Sequence, residues 1–294
     1  MNQPFTLDRR ALARAFDRAA GHYDAAAWLQ RYARQELLER LQYFSLQPGC
    51  VLDLGAGTCA AALPLAQRYP RARVLAVDLA PGMLARAPRQ RWRQRFTRLC
   101  ADAYALPLAA RSVDLVYSNL MLQWCDRPER VFAELARVLR PDGLLAFCTF
   151  GPDSLGELRD AWASVDTGVH VNAFPGMPQL GDALLQAGFR EPVLDSEQRH
   201  HHYPDARALM RELKLIGAHN TASARTRSLT GRDRMQAMIG HYERRREARG
   251  LPATYELLFG AAFCGERPRA AEPEPGVASP PEFAVPVERV GRRR

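Results

Sequence analysis

Five short apolar runs are spaced through the first half of the chain. They are Val51–Leu54, Val74–Val77, Phe96–Ala101, Val113–Tyr117 and Leu144–Phe150. Runs of this length, apolar on successive rather than alternate positions, predict strands buried on both faces. Between them, residues 60–68, the segment opened by Pro81-Gly82-Met83-Leu84, and residues 128–139 read as helices. Tyr69-Pro70 stops the first, Pro128 sits near the first turn of the last, and Pro141-Asp142-Gly143 follows that helix. Repeated strand–helix alternation predicts an open, doubly wound α/β sheet.

The flanks carry a different pattern. Residues 7–44 read as amphipathic helix, with Phe16, Ala20, Tyr23, Trp28, Tyr32 and Leu37-Leu38 on a broken apolar face and an interruption at Gly21-His22-Tyr23-Asp24. Beyond Phe150, Gly151-Pro152-Asp153-Ser154 is expected to cap a helix over 154–163. A polar and aromatic loop, His170-Val171-Asn172-Ala173-Phe174, precedes a helix over 178–187 that ends at Gly188. Residues 191–203 and Ala253–Cys264 read as strands that pair with each other, and 204–217 and 231–248 as helices inserted between them. Residues 266–294, with Glu272-Pro273-Glu274-Pro275, Pro280-Pro281 and Arg292-Arg293-Arg294, are expected to be disordered.

Composition narrows the class only slightly. The 294 residues are 47% hydrophobic and 25% charged, as in soluble globular proteins. No run approaches the roughly 18 apolar residues of a membrane span, and Met1–Arg10 lacks the apolar core of a secretory signal, so cytoplasm is the default expectation. The formal charge of +9 is carried by arginine, Lys214 being the only lysine. It draws acidic partners without choosing between nucleic acid and acidic protein. Six cysteines without a C-x-x-C pair read as buried thiols. His200-His201-His202 lies within a strand-like stretch, so a surface or strand role is expected there and no metal site.

The chemistry centres on Val51-Leu52-Asp53-Leu54-Gly55-Ala56-Gly57-Thr58-Cys59, a buried strand breaking into a glycine turn and then a helix. Gly55, Gly57 and Ala60 also satisfy the looser dinucleotide pattern. Asp53 argues against that reading, because a carboxylate just before the turn repels a pyrophosphate. It attracts instead the ammonium and sulfonium cations of S-adenosylmethionine. Asp78, closing the second strand, suits a ribose diol, and Leu79 follows it. Asp102-Ala103 at the carboxyl end of the third strand suits the adenine amino group, with Met83 beside the adenosine. The fourth strand delivers Ser118-Asn119-Leu120-Met121-Leu122-Gln123-Trp124 to the same edge. The expected cofactor residues are Gln30, Asp53, Gly55, Ala56, Gly57, Asp78, Leu79, Met83, Asp102, Ala103 and Asn119.

Residues 51–59, 74–78, 100–107, 112–128 and 138–151 resemble the class I S-adenosylmethionine-dependent methyltransferases. Further blocks resemble the malonyl-[acyl-carrier protein] O-methyltransferase family of biotin synthesis. They include Phe16-Asp17-Arg18-Ala19-Ala20, Asn119–Trp124, Thr149–Leu155, His170-Val171-Asn172, Leu213–Ala218 and Leu251–Glu256. The resemblance spans roughly residues 10–264. It implies a Rossmann-like, seven-stranded α/β sheet with helices on both faces and an N-terminal helical lid, in which Tyr23 and Gln30 face the cofactor. The implied division is a lid over 1–45, a core over 46–203, a helical insertion over 204–250, a last core strand over 251–265 and a tail over 266–294.

The implied reaction is methyl transfer to the free carboxylate of malonyl-acyl-carrier protein, or of malonyl-coenzyme A. Such an acceptor, with a pKa of about 4, is already ionised at neutral pH, so no acid or base is required. Tyr23, Trp124, His170 and Asn172 are the candidate positioning residues. An arginine is expected on the malonyl group, though the sequence singles none out. The carrier protein is acidic, which gives the insertion's Arg225, Arg227, Arg232, Arg234 and Arg244-Arg245-Arg246 a partner. Neither nucleic acid nor membrane is expected as one.

Rival readings stay open at this level. The arginine-hydroxylating assembly factor of respiratory complex I shares much of the second-half pattern, although Gln123-Trp124 and His170-Val171-Asn172 look closer to the biotin enzyme. A C-methyltransferase needs a base to expose a carbanion, and none stands out. An RNA methyltransferase is favoured only by charge, and the chain lacks an Asn-Pro-Pro-Tyr-type motif. A binding module without catalysis need not keep Asp53, Gly55, Gly57, Asp78 and Asp102 together.

Overall fold

The apolar runs fold into strands whose two faces feed two separate cores. In a computed structural model, which describes residues 7–88, 96–218 and 231–266, the chain opens with α1 (Arg9–Ala19), α2 (Tyr23–Ala26) and α3 (Trp28–Arg40). The alternating region follows as β1 (Cys50–Leu54), α4 (Ala62–Arg68), β2 (Arg73–Asp78), α5 (Pro81–Ala85), β3 (Phe96–Cys100), β4 (Val113–Asn119), α6 (Pro128–Val138) and β5 (Leu139–Phe150). The second half comprises α7 (Gly156–Ala163), α8 (Met177–Gln186), β6 (Phe189–Tyr203), α9 (Ala206–Leu215), α10 (Arg232–Glu243) and β7 (Leu251–Cys264). Arg225, Arg227 and the expected disordered tail beyond Glu266 lie outside the described residues.

The seven strands form one sheet in the order β3-β2-β1-β4-β5-β7-β6. The first five are parallel, and β7 runs antiparallel between β5 and β6. Side chains along a strand alternate faces. Val51, Val74 and Leu115 therefore pack with Leu37 of α3 and Leu65 of α4, while Leu52, Leu75 and Val116 pack with Phe132 of α6 and Leu184 of α8. Helices thus cover both faces. The order reverses beside β1, where β2 lies on one side and β4 on the other, and ligands collect outside the carboxyl ends of strands at such a point.

Several boundaries differ from the sequence reading for physical reasons. Tyr23 and Asp24 belong to α2, so the N-terminal helices break around Gly21-His22 and again at Ala27. β5 begins at Leu139, not Leu144, because Val113 pairs with Leu139 and Leu115 with Leu144, leaving Pro141-Asp142-Gly143 as an irregularity inside the strand. Asp142 takes a φ of 61° there. Ser154 is not a helix cap. Its hydroxyl donates to the Glu256 carbonyl at 3.0 Å and accepts from the Glu256 amide at 3.0 Å, and α7 starts after Leu155 at a φ of 55°. β6 and β7 are each longer than expected, their pairing running from Tyr203↔Leu251 to Phe189↔Cys264.

Gly260 sets the distance between β7 and the core. It lies opposite Phe147 in the β5–β7 ladder, and a Cβ at this position would stand 2.2 Å from the Phe147 ring. Phe147 is fully buried and has no room to withdraw. Gly260→Ala is expected to destabilise the fold by about 1–3 kcal/mol through overpacking. Urea denaturation with an unchanged m-value checks this; an unshifted midpoint would show that the ring can move.

Candidate active site

The glycine turn between β1 and α4 is built for close approach. Gly55 and Gly57 have φ of 72° and 54°, and a Cβ on Gly55 would stand 2.3 Å from Met121 Cγ. The Gly55 and Ala56 amides donate to the Val77 carbonyl at 2.8 and 3.0 Å, fixing the turn against the end of β2. Asp78 is aimed by backbone alone. Its Oδ2 accepts from the Gly57 amide and its Oδ1 from the Ala80 amide, each at 2.8 Å. Burial raises its pKa while those amides oppose the shift.

Asp53 is the unusual group. It is 2% exposed, at the carboxyl end of β1, and its Oδ2 has no hydrogen-bond partner. Burial, with Asp78 adding and Arg34 opposing, pushes it up to about 8. Asn119, ending β4, donates through Nδ2 to the Gln30 carbonyl at 3.0 Å and leaves its own Oδ1 buried and unpartnered. Buried acceptors without donors cost free energy, and polar groups left in this state mark a place where a ligand supplies the donor. An ammonium group, with three donors and a positive charge, satisfies both oxygens at once.

These groups line two cavities that share Tyr23, Gln30, Gly55, Gly57 and Asn119 as a common wall. The one on the Asp53 side holds Asp53 and Ala56. The one on the nucleoside side runs past Asp78, Leu79, Met83, Asp102 and Ala103, as the sequence reading expects of a nucleoside site. Asp102 is already braced. Arg9 Nη1 lies 2.6 Å from its Oδ2, and its Oδ1 accepts from the Tyr104 amide at 3.0 Å. Two further ties hold the N-terminal helices over this edge. The Gly82 amide donates to Asp17 Oδ1 at 2.6 Å, and Thr58 Oγ1 donates to Asp24 Oδ1 at 2.8 Å.

The nucleoside-side cavity continues into an aromatic chamber. Phe16 meets Trp124 edge-on at 5.3 Å and Tyr23 at 6.4 Å between ring centroids. Burial raises the Tyr23 hydroxyl above its ordinary range, keeping it a neutral donor. His170 and Asn172 reach the same chamber from the loop after α7. His170 is also held from behind, stacked on Trp162 at 3.8 Å with Nε2 2.8 Å from Asp166. All four expected positioning residues and all eleven expected cofactor residues therefore line one or other of these two adjoining cavities.

Sequence reasoning missed Arg9 and Glu212. Glu212 comes from α9, accepting from Trp28 Nε1 at 2.8 Å and from the Tyr203 hydroxyl at 2.7 Å. Local pattern carries no signal for residues brought in from so far along the chain. The sequence named no arginine for the acceptor carboxylate. Arg9 is the one arginine on the nucleoside-side cavity's wall among the described residues, and it is committed to Asp102. The histidine run lies on β6, with His200 on Thr254, His202 on Glu247 and His201 against Trp28. Among the described residues no cluster of three metal-ligating side chains occurs, and no helix is long and apolar enough to cross a membrane.

Residues 52–147 match a family described as a methyltransferase domain. The malonyl-[acyl-carrier protein] O-methyltransferase of Gallionella capsiferriformans is 46% identical over 270 residues, which are 90% of this chain and 93% of that protein. The chain belongs to the malonyl-[acyl-carrier protein] O-methyltransferase family. A biotin biosynthesis bifunctional protein of Cellvibrio japonicus is 42% identical over 253 residues, 86% of this chain and 50% of that protein. The fold is shared with the phosphoethanolamine N-methyltransferase 2 of Haemonchus contortus solved with S-adenosyl-L-methionine, at a TM-score of 0.52 and 17% identity over 85% of this chain and 57% of that one.

Asp53 makes the ligand-free protein pH-sensitive in a calculable direction. Its folded pKa of about 8 stands above the unfolded value of about 3.9, so the neutral acid favours folding below pH about 4. That contribution is lost as pH rises through about 8. Wild type is expected to lose roughly 2 kcal/mol more than Asp53→Asn between about pH 6 and pH 8.5. Thermal or urea unfolding of the ligand-free proteins checks it, and parallel pH profiles would show that Asp53 titrates normally.

Proposed function

We propose that this chain transfers the methyl group of S-adenosylmethionine to the free carboxylate of malonyl-acyl-carrier protein. The product is the malonyl methyl ester that primes pimeloyl synthesis for biotin. The observation that carries the reading is the pair of unpartnered acceptors, Asp53 Oδ2 and Asn119 Oδ1, at the head of a cavity that opens into an aromatic chamber. Their donor demand fits the cofactor's ammonium, and the Gly55–Gly57 cradle and Asp78 fit its nucleoside.

The bound cofactor supplies an electrophilic methyl group on a cationic sulfur. The acceptor carboxylate needs no base, since a group of pKa about 4 is ionised at working pH. A carboxylate oxygen forms the new C–O bond as the C–S bond breaks, and the bonding pair returns to sulfur. Cation and anion lose charge together, so a dry chamber held to a reacting distance of about 3–3.5 Å suits the step. Phe16 and Trp124 exclude water. Tyr23 and Asn172 offer neutral donors to the acceptor, and His170, fixed by Trp162 and Asp166, closes the loop behind it.

The carrier protein, an acidic partner, is proposed to dock on the segment 204–250. Arg207, Arg211, Lys214, Arg244 and Arg249 are exposed there without an ion pair among the described residues. Arg245 and Arg246 instead pair with Asp160 and Glu243. A cytoplasmic place of action belongs to the same reading, as do the six unpaired cysteines of the chain.

Incubation with labelled S-adenosylmethionine and either malonyl- or succinyl-carrier protein tests the proposal. Methyl ester on malonyl and none on succinyl is the expected result; no ester from a protein that binds the cofactor would remove the malonyl assignment. Tyr23→Phe and Asn172→Ala are expected to lower kcat/KM for the carrier substrate by roughly 10–100-fold, the worth of one hydrogen bond to a charged group. Cofactor affinity should stay within about twofold. Loss of affinity and turnover in parallel would assign these residues to the cofactor instead.

A further inference from the structure

The wall of the nucleoside-side cavity carries an acid that neither the nucleoside nor the methyl transfer uses. Glu212 of α9 lines it together with Leu213 and Ile216. Its Oε1 accepts twice, from Trp28 Nε1 at 2.8 Å and from the Tyr203 hydroxyl at 2.7 Å. Its Oε2 accepts from no group among the described residues. A carboxylate has sites for several donors, so one oxygen is anchored and the other is left available. The methyl acceptor is itself anionic, and like charges repel strongly where water is scarce. Glu212 therefore faces a part of the substrate that is neutral and carries N–H groups, not the reacting carboxylate.

The placement of α9 says which part. Beyond its last turn, Gly217 takes a φ of 75° against α1, where a Cβ would stand 3.1 Å from the Phe16 ring. Phe16 in turn meets Trp124, so this end of α9 abuts the aromatic chamber. The helix rises roughly 7 Å between Glu212 and Gly217, comparable to the stretch from a malonyl carboxylate through its thioester to the first amide of a pantetheine arm. On its outer side α9 presents Arg207, Arg211 and Lys214, spaced i, i+4 and i+7 on one exposed face. A pantetheine arm bears an acyl thioester at one end, amides along its length and a phosphate at the other. The helix offers each its complement: apolar side chains beside the chamber, a free acceptor on the cavity wall and cations at the surface.

We infer that Glu212 Oε2 accepts a hydrogen bond from an amide N–H of the pantetheine arm that carries the malonyl thioester. The inference rests on the acceptor reading above and adds to it the side chain that reads the arm. The amide keeps its charge state as the methyl group moves, so the bond stabilises ground state and transition state alike. Its loss is felt in KM and not in kcat.

Glu212→Gln separates this contact from the structural bonds of the same side chain. The glutamine carbonyl still accepts from Trp28 and Tyr203, while its NH2 puts a donor where the arm also brings one. The variant is expected to raise KM roughly 10–100-fold, the worth of one hydrogen bond to a charged group, for malonyl-carrier protein and malonyl-coenzyme A alike. Turnover of malonyl methyl thioester, which has no arm, should not change. Where that thioester reacts too slowly to measure, inhibition by free pantetheine decides, and the variant should weaken it by the same factor. Loss with the carrier protein alone would assign Glu212 to protein docking and overturn the inference, as would equal loss with and without the arm, or none. Failure of pantetheine to compete with the acceptor in wild type would overturn it whether or not the variant folds. Wild type that binds S-adenosylhomocysteine but methylates no malonyl thioester would instead overturn the acceptor reading itself.

Discussion

A carboxylate buried without a partner is the constraint on which this structure turns. Asp53 sits at the end of a fully buried strand, and its Oδ2 receives no hydrogen bond. Solvating that oxygen with protein would have been simple, since Thr58 and the turn amides are close in sequence. They are directed elsewhere: Thr58 to Asp24, Gly55 and Ala56 to the Val77 carbonyl, Gly57 to Asp78. The turn is arranged so that these donors are used and Asp53 is left over. The cost is relieved by a proton below about pH 8 or by a cation that enters the cavity.

The rest of the architecture holds that arrangement in place. Parallel strands covered on both faces fix β1, β2 and β4 as neighbours, which brings Asp53, Asp78 and Asn119 to one edge. The N-terminal helices are then tied to the edge by side chains, not by a packed interface alone. Arg9 meets Asp102, Asp17 meets the Gly82 amide and Asp24 meets Thr58. These ties hold Phe16, Tyr23 and Gln30, all cavity-lining residues of the N-terminal helices, over the sheet edge.

How far this could be read from the sequence depended on the range of the forces involved. The strands and the three edge acids were legible because burial on both faces leaves an unbroken apolar run, and a run ending in an acid at a glycine turn is a local pattern. Ser154 was misread for the same reason. Its neighbourhood has the composition of a helix cap, but Glu256 arrives from 102 positions away and takes both of its hydrogen bonds. His170 was legible as a loop residue facing the site, whereas its stacking on Trp162 is a tertiary fact. Glu212 was invisible among 32 acidic residues. Only its place on the cavity wall singles it out, and that place has no local sequence signature.

The distribution of positive charge follows from the kind of reaction proposed. A guanidinium clamped on the acceptor carboxylate would bind the ground state tightly, where the negative charge is full. It would contribute less at the transition state, where that charge is passing into a neutral ester, and uneven binding of this sort raises the barrier. Neutral donors such as the Tyr23 hydroxyl orient the oxygen while holding it less firmly. The cofactor's amino-acid end keeps its charges throughout, so an arginine there costs nothing in rate. Arg34 lies against the Asp53-side cavity, and Arg9, the one arginine on the nucleoside-side cavity's wall among the described residues, is neutralised by Asp102. Full charge is met by full charge only where it persists through the reaction, and the chamber where charge disappears is left to aromatic rings and neutral hydrogen bonds.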